Sequence, residues 1–379
     1  MKGHILLIAD GRSPTARSWI TNIQAIGYEV SLISSFACEP PPGLVHYHHL
    51  PLAFSRFSAG SSQTQKALSR TGFKRFIKRF SPIFQSLRYW LGPLTLHKYA
   101  KDYQNLVSQL QPDLIHALRI PFEGMLGSYT PEGYPLIVGT WGNDLTLHAK
   151  GSPLMRSYTQ RCLQRANGLT SDTFRDVRLA HQWGFDENLP ALVVPGSGGI
   201  DIDIIQEAPY FSAENYGIPE DQPIVVNSRG IRPGSVHQEV FFAAIPKILD
   251  RHPACSFVCP GLEGMGQAHE WVSQFGIKEN TFLLPNLPQT ELWSLMKASL
   301  VFVSPSSHDG TPNSLLEAMA GGEFPGVTGL AGLPSRRLSS SLNRRIFSCG
   351  FRAPSATWLT LSNVNLEARS SLAMARTNT

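Results

Sequence analysis

Residues 304–322 read SPSSHDGTPNSLLEAMAGG and follow the apolar run LVFVS at 300–304. The β-branched and aromatic run predicts a buried strand, and the leucine-rich stretch from Pro312 predicts a helix over 312–320. Pro312 fits a first helical turn, where a missing N–H costs nothing. Gly310, Thr311, Asn313 and Ser314 then place backbone N–H groups at a helix N-terminus after a strand, an arrangement that binds phosphate or pyrophosphate. Asp309 lies in the loop before the helix and Glu317 about one turn inside it. Carboxylates that flank a phosphate cradle suit polyols, because they accept hydrogen bonds from sugar and ribose hydroxyls.

Working outward from this stretch, short apolar runs alternate with helical patterns along the chain. Strands are predicted at 4–9, 28–34, 44–50, 113–118, 135–140 and 191–195, and again at 224–228, 255–259, 281–285 and 300–304. Helices are predicted at 15–26, 96–110, 152–166, 174–183, 235–250, 289–298 and 312–320. Such alternation argues for doubly wound parallel sheets. Two sets of it in 379 residues argue for two domains, with a boundary at 196–222.

The string 304–322 resembles the C-terminal signature of the group 1 (family 4) glycosyltransferases, retaining enzymes of the GT-B fold. That resemblance implies two Rossmann-like α/β domains that face a cleft: an acceptor-side domain over 1–200 and a nucleotide-sugar domain over 201–325. It gives Asp309, where the family has its first Glu, a place beside the donor sugar, and Glu317 a place on the ribose. In VVNSRGIRPGSVHQEVFF, 225–242, Arg229 matches the family's first phosphate-binding arginine. The family's following Lys is absent, and Arg232 is the nearest cation. FVCPGLE at 257–263 resembles the strand end next to the nucleotide, and Leu283-Leu284-Pro285-Asn286 is expected near the base.

In the first domain the family has a Gly-rich turn after strand one, and here ADGRSP offers Gly11 alone. LIHALRIPFEG, 114–124, has His116 where the family's His-x-His begins but Leu118 where it ends. His116 is a candidate catalytic residue and, equally, a strand-end histidine satisfied by structure. Arg119 and Glu123 are candidates for the acceptor side. Trp141-Gly142-Asn143-Asp144 resembles the family's Trp-Gly-x-Asp and adds Asp144 to that side, its alternative being a turn cap. VVPGSGGID, 193–201, resembles the family's hinge-side loop.

The implied reaction moves a hexose from a nucleotide-diphosphate sugar to a glycan or lipid-linked acceptor with retention of configuration. No metal or other cofactor is expected, because the chain shows no Asp-x-Asp cluster of the kind that carries a divalent ion in the other large glycosyltransferase fold. The alternatives are a non-catalytic remnant that still binds nucleotide sugar and a nucleotide-sugar epimerase of the same fold. A dinucleotide oxidoreductase is disfavoured, because no Gly-x-Gly-x-x-Gly follows a strand.

Charge and composition bound the partners. Lys+Arg is 33 and Asp+Glu 28, but residues 326–379 alone hold seven Arg and one acid, which leaves 26 basic against 27 acidic residues elsewhere. The basic balance is therefore a property of the tail and does not point to nucleic acid. That tail has nine Ser, no Lys and no Asp. It departs from the family pattern after about residue 325, as a change of reading frame near 326 would make it do, and is then expected to be poorly ordered; the alternative is a diverged tail that still folds. Residues 61–91 interleave Lys66, Arg70, Lys74, Arg75, Lys78, Arg79 and Arg88 with aromatics. A basic amphipathic helix over 63–80 is expected to meet an anionic membrane surface or, alternatively, to be an ordinary domain helix. Five scattered cysteines give no disulfide framework, no apolar run reaches the ~18–20 residues of a membrane span, and the first apolar run is too short for a signal peptide. These readings imply a cytoplasmic protein, peripheral at the inner membrane face if the basic segment meets lipid.

Overall fold

The computed structural model describes residues 3–53, 81–196, 198–232, 234–322 and 324–328, with backbone alone at 81–87 and 324–328. The expected membrane-facing helix over 63–80 and the tail beyond 328 lie outside these residues. The chain divides into two compact units between Gly199 and Ile200.

The first unit is built on seven parallel strands: β1 (His4–Ala9), β2 (Glu29–Ser34), β3 (Tyr47–His49), β4 (Leu114–Ala117), β5 (Leu136–Thr140), β6 (Gly168–Ser171) and β7 (Ala191–Val193). Their order is β3-β2-β1-β4-β5-β6-β7. The sequence reading missed β6, because GLTS opens on a glycine and holds one large apolar residue. Its backbone is nonetheless paired on both sides, with Ile137 opposite Gly168 and Leu169 opposite Ala191. Side chains alternate across a sheet buried on both faces. Leu6 and Ile8 join one core, while Leu7 and Ala9 join the other. A fully buried Leu or Ile stabilises by about 1.5–3 kcal/mol, which explains why these strands read as continuous apolar runs.

The second unit has five parallel strands: β8 (Ile224–Val226), β9 (Ser256–Pro260), β10 (Thr281–Leu284), β11 (Val301–Pro305) and β12 (Phe324–Thr328). Their order is β10-β9-β8-β11-β12. Val226, Val258 and Phe302 face one core, and Val225, Phe257 and Val301 face the other. β12 carries Pro325 and Gly326, which read as breakers. It stands last in the described order, where a missing N–H is tolerated. It extends three residues past residue 325, after which the family pattern was expected to end.

Helices pack against both sheets. Pro14–Ala25 begins with a proline and buries Ala16, Ile20 and Ile23. Ser152 and Thr173 cap Pro153–Arg165 and Phe174–Gln182 by accepting from Met155 N and Asp176 N. The helix expected at 96–110 starts at Ser81 and runs through Pro93 to Leu110. An internal proline deprives the carbonyl four residues back of its partner. Here that carbonyl belongs to Tyr89, and Ser152 Oγ donates to it at 2.7 Å. This replacement bond lets the helix extend back far enough to bring Arg88 and Tyr89 to the sheet. No described helix is long and apolar enough to cross a membrane.

Candidate functional site

In doubly wound sheets, ligands bind beyond the carboxyl ends of strands at the point where strand order reverses. In the second unit that point lies between β8 and β11. The loops that leave these strands are joined by an antiparallel bridge between Val236 and Ser306 and by Ser307 N donating to Ser235 O at 3.0 Å. Arg229 from the first loop forms an ion pair with Asp309 from the second. Asp309 also accepts from Ser306 Oγ at 2.6 Å, and Arg229 Nη1 reaches Ser314 Oγ at 3.4 Å. Burial pulls the Arg229 guanidinium below its ordinary range, and Asp309 acts against that pull. Its Nε–H is buried and makes no hydrogen bond among the described residues.

Asn227 and Gln238 hold this arginine in place, and the sequence reading did not single them out. Asn227 Oδ1 accepts the Arg229 N–H at 3.0 Å, its Nδ2 donates to Gln238 Oε1 at 2.7 Å, and Gln238 Nε2 donates to the Arg229 carbonyl. Both side chains are buried. A polar pair in so apolar a stretch was the available signal, since buried amides are kept only where they are bonded.

The helix Asn313–Gly321 opens at this pair, with Pro312 at its N-cap, one residue before the first turn in which the sequence placed it. The first intrahelical bond runs from Leu315 N to Pro312 O at 3.0 Å. The amides of Asn313 and Ser314 therefore lie ahead of it, at the positive end of the helix dipole. Gly310 is buried in the approach loop, next to Thr311. Glu317 is half-buried and accepts from Gln289 Nε2 at 3.0 Å, and burial raises its carboxyl above the usual range. Arg232 is exposed but close enough to Arg229 for the like charges to repel. The structure thus brings together Arg229, Arg232, Asp309, Ser314 and the start of the helix that carries Glu317. Beside them the ends of β9 and β10 are joined by Gly261 N to Pro285 O at 3.0 Å and Glu263 N to Leu284 O at 3.1 Å. Gly261 has φ +80°, and a Cβ there would lie 2.8 Å from Asn286 Oδ1, so both conformation and space require glycine.

The first unit has its own site at the reversal point between β1 and β4. A cavity of about 300 Å³ is lined by residues that include Asp10, Phe36, Arg88, Arg119, Glu123 and Trp141. Arg119 Nη2 donates to Asp144 Oδ1 at 2.7 Å, and its guanidinium lies 4.9 Å from the Trp141 ring centre. Asp144 itself is fully buried and also accepts from Ile120 N and Trp141 N. Asp144, expected on the acceptor side, is thus the anchor beneath Arg119 and lies off the cavity wall. Glu123 lines the cavity, accepts from Ser35 Oγ at 2.6 Å, and is pushed by burial toward its neutral form. The preceding Phe122 has φ 66° and ψ −51°, a strained turn geometry for a residue with a side chain. Arg88, one of the cations of the basic stretch 61–91 but beyond the helix expected at 63–80, lies on the cavity wall.

Two candidates stand apart from both sites. Gly11 donates its N–H to Ser34 Oγ at 3.0 Å, and a Cβ there would sit 2.7 Å from Cys38 Sγ. Its glycine identity answers to close packing, and its amide is already used, so it does not offer an N–H to a donor phosphate. His116 is 5 % exposed, bonds Thr170 Oγ1 through Nε2 at 3.1 Å and stands edge-on to Trp19. Burial lowers it to about 4, so it is neutral near pH 7. It sits inside the sheet and is not on the cavity wall, as a structural histidine would be.

Residues 211–325 match the family model of group 1 glycosyl transferases. No curated protein sequence shows detectable similarity to the chain. Among solved structures, sucrose-phosphate synthase from Thermosynechococcus elongatus is 12% identical with a TM-score of 0.59, over 87% of this chain and 82% of that one. Anabaena HepE in complex with UDP and glucose is 14% identical with a TM-score of 0.57, over 87% and 86%. The lipopolysaccharide outer core galactosyltransferase WaaB is 12% identical with a TM-score of 0.55, over 87% and 82%. The chain thus has the α/β architecture of the GT-B fold, and its segment 211–325, which holds Arg229, Asp309 and Glu317, is similar to the group 1 glycosyl transferases.

Proposed function

We propose that the protein is a retaining hexosyltransferase that takes a sugar from a nucleotide diphosphate and gives it to a glycan or lipid-linked acceptor. The observation that carries this reading is the Arg229–Asp309 pair set at the start of the helix Asn313–Gly321, inside the segment similar to group 1 glycosyl transferases.

In this reading the second unit binds the donor. Arg229, Arg232 and the backbone N–H groups of Gly310, Thr311, Asn313 and Ser314 stabilise the negative charge that grows on the pyrophosphate as the sugar departs. Asp309 orients the donor sugar and Glu317 accepts from the ribose. The first unit binds the acceptor, with Arg119 and Glu123 on the wall of its cavity and Asp144 fixing Arg119. Departure from an oxocarbenium-like centre, with the acceptor hydroxyl assisted by the leaving phosphate, retains configuration without a protein nucleophile. Charge stabilisation in this scheme comes from arginines and backbone N–H groups, with no metal or cofactor called upon.

Calorimetry with UDP-glucose as the probe donor tests the reading. Arg229→Ala removes a charge-assisted bond, so affinity is expected to fall about 10–150-fold, or ~1.5–3 kcal/mol, with the thermal midpoint held. Equal affinity in wild type and variant would remove the transferase reading.

A further inference from the structure

The cavity of the first unit carries a cation that the scheme above leaves without a role. Arg88 lies on its wall with Arg119. The Nε–H of each is buried and makes no hydrogen bond among the described residues. Arg119 has Asp144, but Arg88 makes no ion pair among the described residues, and its guanidinium rests 4.7 Å from the Phe122 ring centre. The two guanidiniums are near enough that Arg119 disfavours the charge on Arg88, which burial disfavours already.

The carboxylates nearby do not resolve this. Asp10 is held by Arg12, whose Nε and Nη2 donate to its two oxygens at 3.0 and 2.9 Å. Asp144 is used by Arg119 and two backbone N–H groups. Glu123 attracts both arginines, yet it is bonded to Ser35 and burial favours its neutral form. Two guanidiniums that face one small cavity, each with an unused N–H, leave donors for a further anionic group. Arginine pairs of this kind suit phosphate, whose oxygens accept from two planar forks at once. The volume, at the low end for small-molecule sites, fits one polyol ring with its phosphate. Phe36, Phe122 and Trp141 add aromatic side chains to its lining.

We propose that the first unit binds a phosphorylated polyol through Arg88 and Arg119, so that the acceptor of this enzyme carries a phosphate group. That the ligand is an acceptor rests on the transferase reading, whereas the phosphate site does not. The phosphate belongs either to a soluble sugar phosphate or to a lipid headgroup.

Calorimetry on the full chain decides. The probes are glucose 6-phosphate and glycerophosphoinositol, with glucose and inositol as their uncharged controls and UDP in parallel. At least one phosphorylated probe is expected to bind tenfold or more tightly than its control. Preference for glucose 6-phosphate assigns a soluble sugar phosphate, and preference for glycerophosphoinositol assigns a headgroup. Arg88→Gln is expected to weaken that probe tenfold or more and to leave UDP unchanged. If Arg88→Gln lowers the thermal midpoint, Arg88→Lys, which keeps the charge but loses the fork, is read instead, with an intermediate affinity expected. No preference for phosphate, or a preference untouched by the substitution read, overturns the proposal. Loss of UDP binding by the wild type would break the transferase reading and leave this site standing.

Discussion

The two units each hold an arginine–aspartate pair beyond the carboxyl ends of their strands, and the pairs are built to different ends. Asp144 is fully buried and meets three donors: Arg119, Ile120 N and Trp141 N. Three of its roughly four acceptor positions go to fixing two loops and one guanidinium. Asp309 keeps 16% of its side chain exposed, and its described bonds come from Arg229 and Ser306. Its partner Arg229 retains an unused Nε–H beside a helix N-terminus. The same two residue types thus serve as a girder in one unit and, in the proposed reading, as a donor-binding pair in the other. What separates them is burial: Asp144 is fully enclosed, whereas Asp309 keeps part of its side chain exposed.

Stability measurements are the strongest way to break this comparison. Asp144→Ala leaves a largely buried guanidinium and two backbone N–H groups unpaired, and is expected to cost about 3–5 kcal/mol in urea unfolding. Asp309→Ala removes a carboxylate that is itself partly exposed, and is expected to cost about 1–2 kcal/mol. Equal losses would make Asp309 a girder too.

Acid sharpens the contrast between structural and functional groups. His116 is lowered by burial to about 4, below its ordinary 6.5, so the unfolded chain takes up its proton first as pH falls. Its contribution is whole above pH 6.5 and is lost between pH 6.5 and 4, by up to about 3 kcal/mol. His116→Gln should flatten that part of the stability profile relative to wild type while leaving UDP affinity at pH 7 unchanged. A profile identical to wild type would contradict the neutral, buried state.

Glu317 should show the smallest effect and the opposite readout. Burial raises its carboxyl, so its charge is lost on acidification at a higher pH than an ordinary glutamate would lose it. If the ribose is bound by the carboxylate, UDP affinity is present above that raised value and declines as pH falls through it. Glu317→Gln should lower affinity about 2–10-fold at pH 7 and remove this dependence. An unaltered pH profile would place Glu317 outside the nucleotide site.

Much of this was legible in the chain because it is local. Apolar runs of four to six residues separated by amphipathic stretches specify parallel strands and crossover helices, and a glycine, a proline and a leucine-rich run after a strand specify a helix N-terminus facing a loop. Asp309 and Glu317 could be named for that reason, and Arg229 through the resemblance of 225–242 to the family. β6 and β12 escaped because glycine, proline and short polar residues occupy them, and only pairing with neighbouring strands makes them extended. The tertiary structure alone decided the fate of the long-range groups. Ser152, 59 residues beyond Pro93, supplies the bond that lets the helix from Ser81 run through its proline and set Arg88 on a cavity wall. Ser34 takes the amide of Gly11, Thr170 takes the ring of His116, and the backbone at 120 and 141 takes the oxygens of Asp144. A residue's type states which bonds it can make, and its neighbours in space decide whether those bonds are already made when a ligand arrives.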